Sequence, residues 1–210
     1  MGCDIHLRLE KRLKKDKPYY NEFLDHDNNR IKKCYYTDKN RKWQNCYIFT
    51  NDYTWGERCY GMFAILNDVR NYWEDKVKPL ENKGFPVDAC QATIKNYSYQ
   101  EWKGDGEIPD WGHYADKEDL DRWLKNGYSK EINIKDRNGN IIETRITDPD
   151  AHSPNWCTTE EMEYCINQIF KDENGNYNGD ADEWLALLGA MKGYEASGYY
   201  ECRAVFWFDN

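Results

Sequence analysis

From Cys3 the chain alternates: Cys3, Ile5, Leu7 and Leu9 are apolar, whereas Asp4, His6, Arg8 and Glu10 are not. A period of two predicts a strand over residues 3–12 with one face in a core. The closing run YYECRAVFWFDN predicts a second, strongly apolar strand. Paired in one sheet, the two would set Arg203 beside the Asp4/His6 face. Residues 57–73 place Tyr60, Phe63, Ala64, Val69 and Trp73 on one helical face, with Arg70 near the side of Tyr60 and Pro79 ending the region. Residues 115–126 read as a short helix closed by Gly127. Residues 131–146 read as a hairpin around Asn138-Gly139. TTEEMEYCINQIF is a helix opened by a Thr158/Glu161 capping box, and EWLALLGAMKG is the last helix. Residues 13–57 predict loops with short strands near 34–37 and 46–50, and Gly84 with Pro86 marks a turn. Strands without regular βα alternation indicate an α+β fold: one domain over 1–210, a mostly antiparallel sheet containing the N- and C-terminal strands, and several packed helices.

Composition refines this picture. Nine Trp, 17 Tyr and 7 Phe among 210 residues predict a core that leans on rings. A net charge of -9 argues against a nonspecific grip on duplex nucleic acid. It leaves room for a small phosphorylated ligand held by one or two arginines. No apolar run reaches the roughly 18 residues of a membrane span, and no apolar segment of a signal peptide follows Met1. Met1-Gly2 does not make a myristoylation signal, because His6 stands where Ser or Thr is wanted. The eight cysteines form no CxxC pair, which predicts reduced, mostly buried thiols in a cytoplasmic protein.

Four constellations bear chemistry. Asp4 and His6, with Glu10 further on, project from one strand face about 6–7 Å apart per step, within reach of one divalent ion. An ordinary polar strand face reads the same way. Asp150 and His152 repeat the D-x-H spacing in DPDAHSPNW. The competing reading there is a turn in which Asp150 and Ser153 satisfy backbone N–H groups ahead of a helix. Arg58 and Arg70 could fork onto a phosphate or carboxylate, or pair with Asp4, Glu10 or Asp88 inside the fold. DENGNYNGDADE has the acidic spacing of a calcium loop, but Tyr177 stands where Gly is needed and Gly179 where an apolar residue belongs.

Taken together these motifs resemble a family of uncharacterised phage and bacterial proteins that begin with GCDIH. The resemblance rests on Gly2-Cys3-Asp4-Ile5-His6 with Glu10, and on Arg58-x-Tyr60 leading to Phe63-Ala64-x-Leu66 and Val69-Arg70. It continues through Gly84-x-Pro86-x-Asp88, His152-Ser153-x-x-Trp156-x-Thr158 with Glu161, and the terminal Val205-Phe206-Trp207-Phe208-Asp209-Asn210. Relatives usually carry Asp-Gly-His-Ser where this chain has Asp150-Ala151-His152-Ser153. Against the family pattern, residues 97–147 look like an insertion carrying the hairpin. Arg8 lies outside the pattern and is expected to face water. The resemblance implies a phage or mobile-element setting, hence the host cytoplasm, and supplies no reaction.

The grouped residues point to a metal-assisted hydrolase or phosphoesterase acting on a small nucleotide-like substrate. Asp4, His6, Asp150 and His152 would hold zinc, manganese or magnesium and acidify its water. Glu10 or Asp88 would be the general base, and Arg58 and Arg70 would stabilise developing negative charge. One alternative is a noncatalytic phage protein that binds a host signalling nucleotide or defence protein. Another is a structural protein held by a buried polar network. The expected partners are a small phosphorylated molecule or a host protein, and neither duplex nucleic acid nor a membrane.

Overall fold

The computed structural model describes residues 3–14, 19–24, 30–36, 42–46, 58–72, 77–107, 113–136 and 138–209. The alternating first segment is β1 (Asp4–Leu13). Two short strands follow, β2 (Tyr19–Leu24) and β3 (Arg30–Tyr36), paired with each other, and then β4 (Gln44–Asn45). The strand expected near 34–37 is thus the end of β3, and most of the one near 46–50 lies outside the described residues. The last strand, β10 (Tyr200–Asp209), runs antiparallel to β1 with Asp4 opposite Asp209, His6 opposite Trp207 and Glu10 opposite Arg203. With β9 (His152–Thr158) they make a four-stranded sheet in the order β4-β1-β10-β9.

One face of this sheet carries Ile5, Leu7, Leu9, Ala204, Phe206 and Phe208. All are buried under α1 (Tyr60–Asn67), α4 (Thr159–Phe170) and α5 (Asp182–Ala196). Each fully buried Leu, Ile or Phe contributes about 1.5–3 kcal/mol, so this layer dominates the stability. The capping box of α4 forms as expected: Glu161 N–H donates to Thr158 Oγ1, and Thr158 N–H donates to the Glu161 carboxylate. The first helix is shorter than its apolar pattern. It stops at Asp68, whose left-handed backbone (φ 60°) lets its own N–H reach back to the Ala64 carbonyl and the Val69 N–H to that of Phe63. Asp tolerates that conformation better than most residues, and it ends the helix while Val69 still packs in the core.

The opposite face of the sheet meets a second layer. After the turn at Gly84, α2 (Gln91–Asn96) leads into β5 (Ser98–Glu101). Then come β6 (Tyr114–Ala115), α3 (Lys117–Asn126), β7 (Glu131–Lys135) and β8 (Ile141–Thr147). These strands form a second sheet in the order β6-β5-β8-β7. Residues 97–147 thus carry the expected hairpin, turned at Gly139 (φ 90°), with Asp136 accepting from the N–H groups of Asn138 and Asn140.

Several elements escape the sequence pattern: β2, β5 and β6 were not expected as strands, and β9 and α2 show why. Strand β9 takes up residues the sequence offered as part of a turn, because Pro154 and a left-handed Ser153 (φ 48°) break its alternation. It survives as an edge strand, where Pro is tolerated, with a register shift against Phe206/Phe208. Helix α2 is only six residues long, too short for a helical period to register.

Among the described residues no helix is long and apolar enough to cross a membrane. Cys3, Cys46, Cys90, Cys157, Cys165 and Cys202 are buried free thiols and Cys59 is a half-buried one, as expected. The calcium-like loop folds as an Asx turn, with Asp172 accepting from Asn174 and Asn176 N–H groups. Glu183, its would-be last ligand, already lies in the first turn of α5.

Candidate functional site

The polar face of β1 is a seam between two layers, and along it the expected site residues divide into groups. Asp4 and Glu10 lie about 20 Å apart along an extended strand, so they serve different surroundings.

At the Asp4 end, Arg58 Nε donates to Asp4 Oδ1 at 2.9 Å, the inward-pairing alternative for that arginine. The bond to Asp4 raises the Arg58 pKa. His6 Nε2 lies 2.9 Å from Asp209 Oδ2, with both side chains about one-third exposed (32% and 36%). Its ring stacks on Trp207, centroids 5.6 Å apart and 8° from parallel. Trp207 is held edge-on by Tyr97 at 5.2 Å, and Tyr97 stacks on Phe85 at 4.3 Å. Burial pushes the Tyr97 phenol up to about 12. Nearby Asp148 is also pushed up by burial, with the Asp150 charge adding to the shift and His113 and His6 opposing it.

His152 does not join His6. It stacks on Phe208 at 6.1 Å, and Phe208 meets Phe63 of α1 edge-to-face at 5.2 Å. Trp207 and Phe208 point to opposite faces, so the sheet itself stands between the two histidines. His152 Nδ1 lies 3.0 Å from Ser153 Oγ, while its buried Nε2 has no hydrogen-bond partner among the described residues. Asn67 Nδ2 donates to the Ser153 carbonyl at 2.6 Å. Arg70, left-handed at φ 58°, is on this side too. It stacks over Tyr60 at 5.8 Å and its bond partly offsets the rise that burial gives the Cys3 thiol. Asp150 is exposed, its N–H donating to Asp148 Oδ1. Among the described residues no group of three or more His, Cys, Asp or Glu side chains converges as metal ligands. The expected set of Asp4, His6, Asp150 and His152 is thus spread over two faces and a turn. Those four side chains do not converge on one position.

At the other end Glu10 is fully buried and saturated. Its Oε1 accepts from Cys90 N–H at 2.8 Å and Thr93 Oγ1 at 2.6 Å, and its Oε2 accepts from Arg203 Nε at 2.8 Å. A carboxylate so engaged has no room to take a proton from substrate; Glu10 positions Arg203. Arg203 is thus on the expected face but opposite Glu10, not beside Asp4. Asp88, the other candidate base, accepts from Arg203 Nη1 (2.7 Å) through Oδ1. Its Oδ2 accepts from Trp43 Nε1 (3.0 Å) and Arg12 Nη1 (3.3 Å). Arg8, expected to face water, is buried in the same seam at 5% exposure.

The Glu10 end opens into a cleft of about 420 Å³, lined by Arg12, Trp43, Lys83, Phe85, Trp156 and Arg203 among others. A neighbouring hollow of about 530 Å³ shares Trp43 and Asp88 and runs between α2 and the β7–β8 hairpin. Both Arg12 (4.3 Å) and Arg203 (4.0 Å) stack on Trp43, and Lys83 Nζ lies 4.0 Å over Trp156. Glu161, from the capping box, also accepts from Lys83 Nζ at 2.6 Å. Arg12, Lys83, Trp43 and Trp156 were not singled out as a cation set from the sequence. One signal was available: with Asp4 set opposite Asp209, counting back along β10 puts Arg203 opposite Glu10 and Glu201 opposite Arg12, two complementary pairs.

Comparison with protein-family models, curated proteins and solved structures finds no match to this chain.

Proposed function

We propose that this protein is a noncatalytic binder of a small, ring-bearing phosphorylated molecule of nucleotide type. The carrying observation is the 420 Å³ cleft in which two guanidiniums and an ammonium stand against the indoles of Trp43 and Trp156. Its volume suits one nucleotide-sized ligand. Arg12 and Lys83 would take the phosphate and an aromatic wall of Phe85 and Trp156 the ring. The resemblance to phage proteins supports a host signalling nucleotide as the occupant.

Calorimetric titration of nucleoside mono- and diphosphates, with mass spectrometry of anything released on denaturation, tests this reading. It expects an unaltered nucleotide, and an affinity that falls about tenfold in Lys83→Ala or Arg12→Ala for each lost charge-assisted bond. Absence of binding at millimolar nucleotide would remove it.

A second reading, hydrolysis of such a molecule, is favoured by the His6–Asp209 pair alone. There the carboxylate orients an imidazole that could move a proton. Product formation by the wild type that is lost in His6→Ala would replace the first reading with this one.

A further inference from the structure

Asp88 sits in the turn closed by the Ala89 N–H donating to the Pro86 carbonyl at 3.1 Å, four residues after a left-handed Gly84 (φ 69°). Its side chain is 51% exposed, yet it reaches inward to three donors from three separate segments: Arg203, Arg12 and Trp43. The contrast with Glu10 is sharp. Glu10 holds Arg203 from 0% exposure and cannot leave without stranding a buried cation, whereas Asp88 is carried on an exposed turn and can return to water. Arg203 also keeps donor capacity in reserve. Its buried Nη2 lies 2.7 Å from Glu10 Oε2 and makes no hydrogen bond among the described residues.

We infer that Arg12, Arg203 and Trp43 form an oxyanion clamp for a phosphate group, and that Asp88 is its built-in competitor. This rests on the binding reading above and deepens it: the phosphate of the ligand takes the place of the Asp88 carboxylate. The charge balance requires the exchange. Among the described residues Arg12 and Arg203 pair with three carboxylates, Glu10, Glu201 and Asp88, so these five groups are net negative and repel a further anion. With Asp88 turned away it is neutral and presents unoccupied N–H groups of fixed geometry, which favour a tetrahedral oxyanion. The turn therefore acts as a strap that sets ligand affinity through the fraction of molecules in which it is open.

The test is titration of inorganic phosphate, at constant ionic strength, into the full-length wild type, Asp88→Ala, Asp88→Asn and Asp88→Ala/Arg12→Ala, read by calorimetry. If the strap is open in about a tenth of molecules, Asp88→Ala binds phosphate about tenfold more tightly than wild type. Asp88→Asn, which keeps the shape and removes the charge, moves in the same direction, and adding Arg12→Ala cancels the gain. Equal affinities in wild type and both Asp88 variants would overturn the inference, as would a gain that survives Arg12→Ala. Failure of nucleotides to bind, with the phosphate gain intact, removes the nucleotide reading and leaves the clamp standing. Nucleotide binding to wild type that is indifferent to Asp88→Ala does the reverse.

Discussion

His6 and Glu10 project from the same face of one strand, four residues apart, and live in opposite conditions. Glu10 is sealed by α2 and spends both oxygens on three donors, one of them Arg203 Nε. His6 has one carboxylate partner, an aromatic floor and access to solvent. The first environment fixes the fold; the second leaves an imidazole edge able to act. A shared strand face therefore does not make a shared site, because what covers each position differs.

The contrast is broken most severely at the sealed end. Glu10→Ala leaves the Arg203 guanidinium buried beside a vacant seat, and urea denaturation should show a loss of about 3–5 kcal/mol. Replacing Glu10 and Arg203 together by Leu and Met should cost less than the sum of the single changes. An additive result would mean that the pair is not coupled.

Tyr97, which walls the His6 end, gives a pH test. The folded state keeps its phenol protonated up to about 12, whereas the unfolded chain ionises it near 10. Its contribution is thus fully present below pH 10 and lost as pH rises toward 12, about 3 kcal/mol in all. Tyr97→Phe keeps the ring against Phe85 and Trp207 and should flatten that part of the alkaline unfolding curve.

His6→Ala should cost only about 1 kcal/mol, because one partly exposed contact to Asp209 and one ring stack are lost. A drop of several degrees in Tm together with a cost near that of Glu10→Ala would place His6 with the structural network instead. Arg58→Ala should leave Tm unchanged, since its bond to Asp4 is made in water.

Much of the fold was legible before any tertiary contact. Alternation identified β1, a strongly apolar run identified β10, the capping box identified α4 to the residue, and Asn138-Gly139 identified the hairpin. These signals are local: a period, a cap, a turn. Strand β9 was illegible because Pro154 and the bulge at Phe206/Phe208 erase its period, and α2 because six residues contain less than two turns. For the site, the pairing of Arg58 with Asp4 was among the readings the sequence left open. The gathering of His6 with His152 was expected and does not occur, because identical D-x-H spacings say nothing about which face of a shared sheet each enters.

By itself the sequence determined which residues share a side of β1, since side-chain parity follows from backbone geometry within a few residues. It also predicted that the first and last strands lie in one sheet. Only the tertiary structure decided that this polar side is an interior seam, that Glu10 is locked and His6 open, and that Asp88 arrives from an exposed turn to fill the clamp of Arg12, Arg203 and Trp43. Those outcomes depend on segments some 80 and 190 residues away folding back over the strand, and no local period encodes such contacts.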